Sequence, residues 1–145
     1  MGPETLVASL LRVAREDLRG AQLLATQANR NAIYLAEQAA EKIIRAVLTS
    51  EGLHAGIKHQ LDEMVDLVPD ANPFKADLRS LEDLSAFATS YRYPTPTGRI
   101  PNAPGIAEVA ARVTQIDAVL GKIATRWGLN LDQAGPPPGP LKPLR

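Results

Sequence analysis

Asn31-Ala-Ile-Tyr-Leu-Ala-Glu-Gln-Ala-Ala-Glu-Lys-Ile-Ile-Arg-Ala-Val-Leu-Thr-Ser50 decides how this chain folds. Ile33, Ala36, Ala40, Ile43, Ile44 and Val47 recur at the three- and four-residue spacing of a single helix face, and no period-two alternation competes with it. Gly52 supplies the usual terminator. A helix with one apolar stripe is stable only when the stripe is covered. The flanking sequence must therefore supply further helices.

Upstream, Leu6, Leu10, Ala14, Leu18, Ala21, Ala25 and Ala28 predict a helix from Thr5 to about Ala28. The connection to the next helix is short, so the two should run antiparallel. Downstream, Leu61, Met64, Val65 and Val68 predict a brief third helix from about His59, ended by Pro69. Asn72 before Pro73 reads as a cap and a first-turn proline. These open a fourth helix that buries Phe74, Leu78, Leu81, Leu84 and Ala88 and ends near Tyr91. Residues 92–104 hold four prolines and a glycine, which excludes a helix or a central strand there and leaves an ordered or a mobile loop. Pro104 opens a fifth helix, whose Ile106, Val109, Val113, Ile116, Leu120, Ile123 and Trp127 form a narrow seam facing the core or another subunit. The expected class is all-α, with about five helices in one domain over residues 1–128. Residues 129–145, with Gly135-Pro-Pro-Pro-Gly-Pro140, have the composition of a disordered, proline-rich tail.

Composition narrows the function. Sixteen basic and sixteen acidic residues cancel to zero net charge, so no long-range field favours non-specific nucleic-acid binding or an anionic membrane. The absence of cysteine excludes disulfides and thiolate chemistry. With no apolar run of spanning length, and an acid where a signal peptide would carry positive charge, the expected location is cytoplasmic.

Chemistry is concentrated in three places. At a hundred degrees per residue Glu37 falls inside the apolar arc of the second helix. It either turns its head outward at the rim or is buried and held by an arginine or tyrosine from elsewhere. Tyr34, Gln38, Glu41 and Arg45 form a polar flank of the same helix, with Glu41 and Arg45 spaced for an ion pair. His59 opens the third helix as a capping or surface residue, and His54 carries less meaning. A single Glu-x-x-His, Glu51–His54, falls short of the two that a di-iron carboxylate bundle needs, and no phosphate loop or zinc spacing occurs, so no metal or cofactor is expected. Tyr91-Arg-Tyr-Pro94 combines a cation with two rings and a stiff backbone. Such an arginine either receives a phosphate and stacks on a base, or pairs with a carboxylate such as Glu37 while the tyrosines close the core.

Tyr34-x-Ala36-x-Gln38-Ala-Ala-Glu41-Lys42, His59-x-Leu61 and Arg92-Tyr-Pro94, in this order, resemble the HEPN domain family over about residues 5–127. The resemblance implies an up-and-down helical bundle similar to the helical domain of kanamycin nucleotidyltransferase, commonly a homodimer. It also implies a minimal nucleotidyltransferase as partner in a toxin-antitoxin type module. The family's ribonuclease members carry an arginine followed four to six residues later by a histidine. That pair is absent here: Arg45 lies too far before His54 and His59, and no histidine follows Arg92 or Arg99. What remains resembles the nucleotide-binding subgroup. By position, Arg92 would grip phosphate and Tyr93 would stack or hydrogen-bond, with Gln38, Glu41 and His59 as neighbours and Glu37, Tyr34 and Pro94 in support. Two other readings stay open. One is a metal-independent ribonuclease joining His59 to Arg92; the other is a dimeric scaffold whose polar residues satisfy one another. The fifth-helix seam and the alanine face of the second helix are the dimer surfaces to expect.

Overall fold

A computed structural model describes residues 3–87 and 92–132. Its elements are α1 (Pro3–Thr26), α2 (Asn31–Ser50), α3 (Leu61–Leu67), α4 (Lys75–Arg79), a 3-10 segment (Glu82–Phe87) and α5 (Ile106–Trp127). No strand occurs among the described residues.

The α1–α2 hairpin is the most extensive contact in the molecule. It is built on small residues: Ala8, Ala14, Ala21 and Ala25 of α1 and Ala32, Ala36, Ala39 and Ala40 of α2 are all buried. Gly20 leaves room for the Leu35 side chain, whose Cδ1 would lie 3.0 Å from a Cβ built there. The Lys42–Asp17 ion pair at 2.7 Å bolts the hairpin from the side. Val109, Val113, Ile116, Leu120, Ile123 and Trp127 of α5 close the same core. Apart from Ile106 at its start, which is 51% exposed, the seam thus faces the chain's own interior, and so does the alanine face of α2. Both surfaces expected to carry a dimer are spent within the chain.

Helix ends follow backbone chemistry. At the end of α2, Gly52 at φ 74° lets Leu53 N–H reach Leu48 O at 2.9 Å and Gly52 N–H reach Thr49 O at 3.0 Å. This is the paired 6→1 and 5→2 closure that satisfies terminal carbonyls. α3 is shorter than expected and begins at Leu61, so His59 lies two residues before it. Its first N–H donates to Ser85 Oγ at 2.7 Å. Val68 is extended, as a residue before proline prefers, and the helix stops there.

The fourth helix departs most from expectation. The helix starts later than predicted, at Lys75 with Phe74 as its N-cap; Asn72 instead makes a turn ahead of it, its Oδ1 accepting from Phe74 N–H at 2.9 Å. The helix then breaks at Ser80 and rewinds as the 3-10 segment. Leu78, Leu81 and Leu84 are spaced by three and all fully buried, and a three-residue turn keeps such a row in line where an α-turn would rotate it away. The carbonyl of Ser80 freed at the break accepts from Gln115 Nε2 of α5 at 3.3 Å. Residues 88–91, where this helix was expected to end, lie outside the described residues.

The proline-rich connection is a tied loop. Thr95 N–H donates to Arg99 O at 2.7 Å, Gly98 N–H to Thr95 O at 2.8 Å, and Arg30 Nη1 to Pro101 O at 3.0 Å. Beyond α5, Leu129 is buried and Leu131 packs against the core, so ordered packing runs to Asp132. The proline-rich segment from 133 onward lies outside the described residues.

Candidate functional site

The polar residues singled out from the sequence are strung along one flank of α2. Tyr34, Gln38, Glu41 and Arg45 fall within a narrow arc, and Tyr34 and Glu41 are two turns, about 10 Å, apart. A polar flank of this kind is usually solvated surface. Instead it is partly covered: Glu41 is buried, and Tyr34, Gln38 and Arg45 are half-buried.

At the N-terminal end of the flank, the Arg92 guanidinium lies 4.2 Å from the centroid of the Tyr34 ring and 5.4 Å from that of Tyr93. Among the described residues no carboxylate pairs with Arg92, so the expected Arg92–Glu37 bridge is not formed. Tyr93 is 63% exposed and does not close the core, while Tyr91 lies outside the described residues. Pro94 is exposed and restricts Tyr93 to extended backbone. The result is a cation lying over two ring faces, with its hydrogen-bonding edge unclaimed by any acid among the described residues.

In the middle sits Glu37, 1% exposed. Its Oε2 accepts from Gln38 Nε2 at 2.9 Å, so the partner is the adjacent amide rather than an arginine or tyrosine. Burial pushes the Glu37 carboxyl up to about 7, and the nearby Glu41 charge pushes the same way; the Gln38 hydrogen bond, Lys42 and His59 act against it. A carboxyl so placed is half protonated near neutral pH.

At the C-terminal end, His59 Nδ1 lies 2.8 Å from Glu41 Oε1. Arg45 reaches the same oxygen at 3.4 Å and donates to Lys58 O at 2.7 Å. The histidine is thus tethered by a buried acid while its side chain stays 76% exposed. Sequence reasoning left Arg45 out of the site, although its i, i+4 spacing from Glu41 was visible. Arg45 also lines a cavity of about 290 Å³ with Leu6, Leu48, Leu53 and His54. Among the described residues no three of His, Cys, Asp or Glu gather as a metal would need.

A mostly helical bundle with a helix flank organised by Tyr34, Gln38, Glu41, His59 and Arg92 defines a class of small all-α domain. The HEPN domain matches residues 7–117, and the chain belongs to that family. No curated protein and no solved structure matches it. No described helix is long and apolar enough to cross a membrane.

Proposed function

We propose that this HEPN protein binds a phosphate-bearing nucleotide at Arg92 and acts with a nucleotidyltransferase-type partner in a toxin-antitoxin type module. The observation that carries the reading is the Arg92 guanidinium, ring-supported by Tyr34 and Tyr93 and free of any carboxylate among the described residues. A guanidinium that neutralised Glu37 would meet a phosphate with its charge already offset and one N–H fork taken. One that rests on ring faces keeps its N–H fork for a bidentate acceptor. Tyr93, exposed beside it, offers a face on which a base stacks. Gln38 and the protonatable Glu37 lie next along the flank. In this reading a homodimer uses neither the α5 seam nor the alanine face of α2, since both are buried.

Amide chemical-shift mapping during titration with nucleoside mono- and triphosphates tests it. Shifts centred on Tyr34, Gln38 and Tyr93 are expected; shifts that avoid α2 would remove the reading.

RNA cleavage has one observation behind it. The Glu41–His59 pair orients an exposed imidazole in the way acid-base chemistry requires. Against it, Arg92 sits over Tyr34 and His59 over Glu41, two turns apart on the helix. Incubating labelled RNA with the protein and with His59→Ala separates the readings: equal, background cleavage supports binding alone.

A further inference from the structure

A cavity of about 700 Å³ opens where the start of α4 meets the C-terminal half of α5. That volume lies within the roughly 300–1,000 Å³ of small-molecule sites. Pro73, Phe74 and Asp77 form one wall, and Gly121, Lys122, Thr125 and Arg126 form the other. On α5, four-residue steps set Gly121 below Thr125 and Lys122 below Arg126, two rows side by side on one edge of the helix. Glycine inside a helix weakens it relative to alanine, yet a Cβ at Gly121 would meet no atom within 4 Å. No described neighbour requires the missing side chain. Its absence leaves the floor of the hollow bare.

Charge selects what the hollow can hold. Lys122 Nζ lies 3.3 and 3.2 Å from the two carboxylate oxygens of Asp77, which offsets that acid. Arg126, one turn further along and exposed, has no carboxylate partner among the described residues. One acid against two bases leaves the walls with a single unmatched positive charge. The Thr125 hydroxyl stands beside it as a further donor. The negative end of α5 is close by, but the carbonyls of Ala124 and Thr125 already accept from Leu129 N–H and Gly128 N–H.

We infer that this hollow binds a small amphiphilic monocarboxylate, its apolar body laid over Pro73, Phe74 and the bare Gly121 and its carboxylate received by the Arg126 guanidinium. The planar guanidinium fork matches two carboxylate oxygens, and the body of the ligand covers apolar surface that water otherwise wets. A nucleoside mono- or triphosphate would bring two or more negative charges beside Asp77. The ligand here is therefore of a different class from the one proposed at Arg92, and the two sites stand independently.

Amide chemical-shift mapping of the full chain, with phenylpropionate and octanoate as probes, tests the site. Saturable shifts are expected at Phe74, Gly121, Thr125 and Arg126, while Tyr34, Gln38 and Tyr93 stay unmoved. Neutral phenylpropionamide on the native chain, and phenylpropionate on Arg126→Gln, should each bind about tenfold more weakly. Gly121→Leu fills the floor with a better helix former and should abolish the shifts with the melting temperature held or raised. Absence of saturation by both probes would overturn the proposal. So would an amide that binds as well as the acid, or binding that survives Gly121→Leu. Shifts at the same residues produced by concentrating the protein alone would give the hollow to a second copy and overturn it as well. Failure of nucleotides to bind at Arg92 leaves each of these expectations unchanged.

Discussion

Among the described residues Glu37 is the most deeply buried of the charged side chains, at 1% exposed. Its carboxyl is raised from an ordinary value of 4.5 to about 7 by burial. The folded state therefore holds this proton through a pH range in which the unfolded chain has released it, and stability falls as pH rises from about 4.5 through about 7. The span corresponds to about 3 kcal/mol. Glu37→Gln should flatten that part of the curve, read as urea midpoints between pH 5 and 8; an unchanged slope would assign the titration elsewhere. At the opposite end of the flank, Tyr34→Phe should preserve the ring under Arg92. Tyr34→Ala should cost about 0.5–1 kcal/mol of nucleotide affinity, a two- to fivefold rise in Kd. Burial of Glu37 could be read from its angle on the helix. Its partner could not, because whether Arg92 reaches an acid or a ring depends on how the tied 92–104 loop is laid down. The Glu41–His59 contact was hidden for the same reason: it joins α2 to a segment that returns through a turn with no periodic signal.

At the scale of elements, three helix ends share one closure. α2 and α5 terminate on Gly52 and Gly128, at φ 74° and 69°. At α5, Leu129 N–H reaches Ala124 O at 2.9 Å and Gly128 N–H reaches Thr125 O at 3.1 Å. α1 ends the same way, with Asn29 N–H to Leu24 O and Ala28 N–H to Ala25 O, both at 3.0 Å, but the left-handed position is Ala28 at φ 52°. An L-residue there costs about 1 kcal/mol relative to glycine. Ala28→Gly should therefore raise the melting temperature by a few degrees, and Gly128→Ala should lower it by a similar amount. Differential scanning calorimetry reads both; a fall for Ala28→Gly would show that this turn is held by something other than backbone conformation. The long helices were legible because their apolar residues keep a 3.6-residue period over many turns. The fourth was misread because Leu78, Leu81 and Leu84 satisfy an α-helical and a 3-10 pattern equally well over so short a row, and the decision is made by Gln115 arriving from α5.

The described residues share one core, to which the α1–α2 hairpin, α3, the leucine row and α5 all contribute. Trp127 is the single tryptophan and is 3% exposed in that core. Its fluorescence and the helical circular dichroism should report one coincident unfolding transition; separated midpoints would mean that α5 detaches before the hairpin melts. The packing accounts for the bundle expected from the sequence and leaves the α2 flank as the place where function is proposed. Calorimetric titration of the intact protein with nucleoside mono- and triphosphates, repeated on Arg92→Ala after its melting curve is matched, tests that proposal most directly. Saturable binding that weakens at least tenfold in the variant, about 1.4 kcal/mol, is the predicted result. No heat across the nucleotides, or binding that Arg92→Ala leaves untouched, would contradict a phosphate site at this arginine.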